Sequence, residues 1–168
     1  MDWTNSSYTW VGVHVFISYM IFLSTLTNFY LYQAFRRMLL SSIKECTQEE
    51  YMGFYIFRYN GKCVLKVEVL GILISLEKQE KRSTLVIDDG TATIRCIKYR
   101  DSSTTDYNNS SLVSDDIEYG DTVTVQGSLV KAETNDSPYD FMILAKCIEK
   151  VEDPNVEIFH WLCCVSEK

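Results

Sequence analysis

Several chemistries are missing from this chain. Its six cysteines, at 46, 63, 96, 147, 163 and 164, contain no CxxC pair, and neither of the two histidines, His14 and His160, stands at ligand spacing, so no metal site is expected. There is no Ser/His/Asp set, no P-loop and no HExxH, and the sequence offers no nucleophile for an enzyme and no cofactor signature. A basic excess is missing too. The formal charge is −7, and the first 45 residues hold three basic side chains against two acidic ones, so the acidic excess lies in the remainder. An independent, tight, non-specific nucleic-acid binder is thereby excluded. Cys96 and Cys147 fall inside apolar strand patterns, where a reduced cysteine packs as a small hydrophobe, and a reducing compartment is expected rather than a disulfide framework.

Charge is also missing from Trp3 to Phe35, an apolar run that ends directly on Arg36 and Arg37. At helical rise, residues 8–35 could cross a hydrocarbon layer of about 30 Å with the arginines holding the cytosolic end. The run has neither a basic start nor a small-residue cleavage site, so it does not read as a secretory signal. The alternatives are a helix whose apolar side, with Phe29, Tyr32, Ala34, Phe35, Met38 and Leu39, covers the rest of the protein, or a later start at Met38 or Met52. The polar stretch "SSIKECTQEE" follows. Residues 1–45 are therefore set apart as an apolar N-terminal segment expected to be helical.

What is present from residue 59 onward is β-pattern. "YNG" at Tyr59 to Gly61 is turn chemistry, and "KCVLKVEVLGILISLEKQ" is a long first strand with Gly71 where it could bend. "KRSTLVI" and "TATIRCIKY" follow as strands two and three around a tight turn at Asp88, Asp89 and Gly90. Residues 101–116 lack periodicity and read as a loop. "IEYGDTVTVQGSLV" and "YDFMILAKCIEKV" are strands four and five, and "DPNVEIFHWLCCV" opens a helix with Asp153 as N-cap and Pro154 at its first position. Ile158, Trp161, Leu162 and Val165 recur there as one apolar stripe. This order predicts a mainly β protein, a single five-stranded OB-fold barrel over 46–152 with a C-terminal partner-binding helix over 153–168. Its interior would take Val67, Val69, Leu73, Ile94, Cys96, Val123 and Val125.

In such a barrel the outer faces of strands two and three carry the ligand. With Ile94 and Cys96 inward, Arg95, Ile97 and Tyr99 point out, so Tyr99 could stack on a base while Arg95, Lys98 and Arg100 meet phosphates. Lys78, Lys81 and Arg82 extend the cationic rim. Paired carboxylates in a hairpin are turn-makers far more often than catalysts, and Asp88 and Asp89 are read that way.

Taken together, "FRYNGKCVLKVEVLGILISLEKQ", "LVIDDGTATIRCIKYR", "IEYGDTVTVQGSL" and "VEDPNVEIFHWL" resemble the STN subunit family of the CST (CTC–STN–TEN) telomere-capping complex, a relative of the middle subunit of replication protein A. The resemblance covers residues 54–162. It implies a non-catalytic subunit in the nucleus at chromosome telomeres, working with a small TEN-like OB subunit and a large CTC-like subunit. It also implies binding to single-stranded G-rich DNA and help for DNA polymerase α–primase in C-strand fill-in. Carried over by position, Tyr99 stands where the family has an aromatic, Arg100 where it has a basic residue, and Ile158, Trp161 and Leu162 where it meets partner subunits. Two departures stand out: many members continue into winged-helix domains, whereas this chain stops at Lys168, and the apolar N-terminus is longer than the family's short helix leads one to expect. The rival reading is an adaptor barrel that binds protein only, held at a membrane by residues 8–35.

Overall fold

The computed structural model describes residues 34–51, 54–100, 113–114, 116–132 and 141–166. Apart from Ala34, all of these belong to one compact unit, Phe35–Lys168. The apolar run of residues 8–35 lies almost wholly outside the described residues, and among the described residues no helix is long and apolar enough to cross a membrane.

Strand β5 (Lys66–Lys78) is the spine of the molecule. Its first half pairs antiparallel with β8 (Thr122–Lys131), from Lys66 opposite Ser128 to Ile72 opposite Thr122. Its second half pairs antiparallel with β6 (Arg82–Asp88), with a bulge between Leu73 and Ser75. The changeover lies beside Gly71, where a methyl group would stand 2.5 Å from the Asp88 carbonyl oxygen and 2.8 Å from Ile87 Cγ2. Only glycine lets the strands approach that closely. β6 turns into β7 (Thr93–Tyr99), β7 pairs parallel with β9 (Phe141–Lys150), and β9 pairs with β8, so the order β5–β6–β7–β9–β8 returns to β5 and closes a five-stranded barrel.

Period two along each strand fills the interior. Val67, Val69, Leu73, Ile94, Cys96, Val123 and Val125 are all buried, as the sequence pattern requires, together with Leu85, Ile87 and Ile143. Burial pushes the Cys96 thiol far above its ordinary range, so it stays protonated and packs as a hydrophobe. None of the cysteines is bridged.

The polar stretch "SSIKECTQEE" is more ordered than its composition suggests. It forms a short helix α1 (Leu40–Lys44) and strand β2 (Thr47–Tyr51), which pairs with β3 (Phe54–Tyr59) and, through it, β4 (Lys62–Val64) in a separate antiparallel sheet. The β3–β4 link is the two-residue turn Asn60–Gly61, both at positive φ (49° and 73°), which matches the twist of the flanking strands. One face of this sheet delivers Phe57, Tyr59 and Val64 to the core, and Phe57 meets Phe141 edge-on, with centroids 5.4 Å apart. Its opposite face carries an exposed Arg58–Glu49 pair at 2.7 Å, which accounts for the polar sequence.

Residues 34–39 are not helical. Arg36–Arg37 form a two-residue strand, β1, parallel to β5, and Met38 and Leu39 are buried beyond it as extended chain. Leu39 gives α1 no side-chain cap. The β6–β7 turn supplies one instead: Asp89 Oδ2 accepts from Leu40 N at 2.7 Å, and Thr91 Oγ1 accepts from Ser41 N at 3.1 Å. The other oxygen of Asp89 accepts from the amides of Thr91 and Ala92 at 2.9 and 3.1 Å, while Asp88 Oδ1 holds Gly90 N at 2.7 Å. Both aspartates thus make the turn, and Asp89 also fastens α1 to it.

Candidate nucleic-acid and partner interfaces

Antiparallel pairing sets the outer face of the β6–β7 hairpin. Leu85 opposite Cys96 and Ile87 opposite Ile94 point inward, so Arg82 opposite Tyr99, Thr84 opposite Ile97 and Val86 opposite Arg95 share the outside. The parallel strand β9 widens this face with half-buried Met142 beside Arg95 and Leu144 beside Ile97.

The sequence-predicted residues do not form one even patch. At the open end of the hairpin Arg100 N donates to Lys81 O at 3.0 Å, Gln79 N donates to Arg82 O at 2.9 Å, and Lys78 is paired with Ser83. Lys81, Arg82, Tyr99 and Arg100 are therefore brought together there, all exposed, with Tyr99 57% accessible, whereas Lys78, also exposed, shares the side of its partner Ser83, away from Tyr99. The Arg82 guanidinium is oriented by Gln79 Oε1 at 3.0 Å from Nε. Arg95 stands at the other end of the same face, four residues or about 13 Å away along β7. Lys98 is on the opposite side of β7 from Tyr99, opposite buried Ser83 and near the Cys147 thiol. Ile97, expected to face solvent, is only 8% exposed. The alternation correctly gave its side of the strand but not the cover over it.

Chemically, the open end offers one flat aromatic, with the Arg82 cation directly across from it and Lys81 and Arg100 beside it. Among the described residues no group of His, Cys, Asp and Glu side chains is arranged to hold a metal.

The second surface is helix α2 (Pro154–Ser166). Asp153 caps it, accepting from Asn155 N at 2.9 Å, and Pro154 takes the first position. Only His160 and Cys164 of the helix are buried. They lie one turn apart and define the side that packs on β1 and β5. Ile158, Leu162 and Val165 point to solvent, joined by Phe159 at 68% exposure, while Trp161 is half-buried on the flank. Phe159 was not among the expected contact residues. Its spacing to Leu162 places it on that face, a signal obscured because apolar residues occupy most of the helix circumference. The helix thus leaves a contiguous apolar face uncovered on a closed barrel.

A closed five-stranded barrel in this strand order, with a capped helix after strand five, defines an OB-fold protein. Residues 15–168 match the family described as telomere regulation protein Stn1, and the chain belongs to that family. It is 24% identical over 139 residues to the CST complex subunit STN1 of Arabidopsis thaliana, covering 77% of this chain and 86% of the relative. Its fold is similar to a chain in a replication protein A heterotrimer bound to single-stranded DNA, with TM-score 0.64 at 17% identity over 80% of this chain and 94% of that one. A chain of the S. pombe Stn1–Ten1 complex matches with TM-score 0.61 at 18% identity over 80% and 90% of the two chains.

Proposed function

We propose that this chain is the non-catalytic OB-fold subunit of a telomere-capping complex in the nucleus, where it binds single-stranded G-rich DNA and supports C-strand fill-in by DNA polymerase α–primase. A small Ten1-like OB subunit docks on Ile158, Phe159, Leu162 and Val165 of α2, with Trp161 at the margin, and a large subunit completes the complex. The observation that carries this reading is the gathering of Tyr99 with Lys81, Arg82 and Arg100 at one end of the outer β6–β7 face. Lys78, Arg95 and Lys98 fall outside that cluster and contribute less. An acidic chain binds DNA weakly alone, so affinity rises when a partner is bound.

The test is fluorescence anisotropy of the full chain, alone and with its small partner, on a labelled G-rich single strand across a salt series. Salt-sensitive binding that strengthens with the partner is expected, as is a loss of about 1–3 kcal/mol for Tyr99→Ala, the worth of one stacked base. No binding in either state, with the partner shown to be bound, would leave this barrel as a protein-only adaptor, the reading that its net charge of −7 favours.

A further inference from the structure

Glu68 stands where β1, β5, β8 and α2 meet. Its backbone carbonyl accepts from Met38 N at 3.1 Å. Its carboxylate is fully engaged: Oε1 accepts from Arg37 Nε and Oε2 from Gln126 Nε2, both at 2.6 Å. Nδ1 of His160 lies 3.9 Å from the same Oε1, and Arg37 reaches on to Cys163 Sγ, 3.4 Å from Nη1. His160 is 4% exposed, and its Nε2 is buried with no hydrogen-bond partner.

A neutral imidazole can hold this position, because one ring nitrogen is engaged with the Met38 backbone and Nε2 then carries no proton that needs an acceptor. An imidazolium cannot. It would place an N–H in a dry site without an acceptor, and a second cation on a carboxylate oxygen that already neutralises Arg37. The charged groups facing His160 are Glu68 from β5, Arg37 from β1 and Asp89 from the β6–β7 turn, while Cys163 and Cys164 are its neighbours on α2.

We propose that His160, hydrogen-bonded to the Met38 backbone beside the Arg37–Glu68–Gln126 network, forms an acid-sensitive latch which holds the partner-docking helix on the barrel while His160 is neutral and releases it when His160 takes a proton. The latch is a property of this chain alone, and only its consequence for assembly rests on the docking role given to α2. Burial sets the direction: it holds the His160 pKa below the ordinary histidine value, against the pull of Glu68. Burial raises the Glu68 carboxyl, but the hydrogen bonds from Arg37 and Gln126 outweigh it and keep the group below its usual value, hence charged throughout. A released helix therefore takes up the proton more readily than a docked one. The contribution to docking is complete above the ordinary imidazole range and is lost as pH falls through that range toward the lower docked value.

The two histidines and three tryptophans make this readable. A His14→Gln chain leaves one imidazole for NMR, and Trp3→Phe with Trp10→Phe leaves Trp161 as the single indole reporter on α2. Between about pH 7.5 and about pH 5.5, the His160 ring is expected to titrate below the ordinary range, with Trp161 emission moving to longer wavelength in step. His160→Gln removes that emission change. Glu68→Gln gives the long-wavelength emission already at neutral pH, and Glu68→Asp restores part of the native signal. An ordinary midpoint for His160, constant Trp161 emission, or an emission change that persists in His160→Gln would overturn the latch. Affinity for the small partner on the same variants separates the two claims: a latch that opens without loss of partner affinity refutes the docking role of α2 and leaves the latch standing.

Discussion

Asp89 connects parts of the molecule that nothing in the sequence links. Its turn-forming role is readable from "DDG", because adjacent aspartates and a glycine have few other uses between two strands. Its second role is not readable, because Leu40 is 49 residues away and α1 has no periodicity of its own to announce it. Removing a buried or half-buried acceptor costs more than the bond itself, since the amides it served are left unpaired. Asp89→Ala is expected to lower stability by about 1–3 kcal/mol in urea titration, with the Leu40 amide losing protection from exchange. Asp88→Ala, which removes the acceptor of the Gly90 amide, should cost less. Equal losses at the two positions would mean that the cap on α1 contributes nothing.

At the scale of elements, the strands were legible and the orientation of α2 was not. β5 to β9 follow apolar alternation closely because each has one face in a shared interior. β2, with the sequence TQEEY, was missed because its polar and charged residues disguise a strand, and with it the sheet that the aromatic β3, FYIFRY, forms. For α2, periodicity gave a stripe but not the side the stripe faces, since the packing contact is made by a histidine and a cysteine rather than by the large apolar side chains. That inversion has a consequence for mutants. Phe159→Ser and Leu162→Ser should leave thermal stability within about 0.5 kcal/mol of wild type, while lowering affinity for the small partner by about tenfold or more. A variant that folds and binds as well as wild type would remove its residue from the docking face.

For the whole molecule, the net charge of −7 and the cationic end are not in conflict. The strand behind the proposed DNA face, "TIRCIKY", was legible, but which cations stand beside Tyr99 was not. Pairing across the barrel decides that Tyr99 gathers with Arg82 and the β5–β6 turn rather than with Arg95. The three clustered cations, Lys81, Arg82 and Arg100, bound the electrostatic footprint. Each phosphate neutralised on a single strand contributes a slope of about −0.7 to the dependence of log affinity on log salt, so the chain alone should show a slope no steeper than about −2. A steeper slope in the salt series would mean that Lys78, Arg95, Lys98 or residues outside the cluster also meet phosphates.

The division of β5 between two neighbours also sets an order of assembly. Its pairing with β6 joins residues separated by a short turn, whereas its pairing with β8 joins residues about 50 to 60 positions apart, and the entropy of closing that loop opposes it. The β5–β6–β7 meander can therefore form first and serve as the template on which β8 and β9 arrive. The two long-range seams, β5–β8 and β7–β9, are expected to close after it, and pulsed hydrogen exchange that protects either seam before the meander would contradict that order.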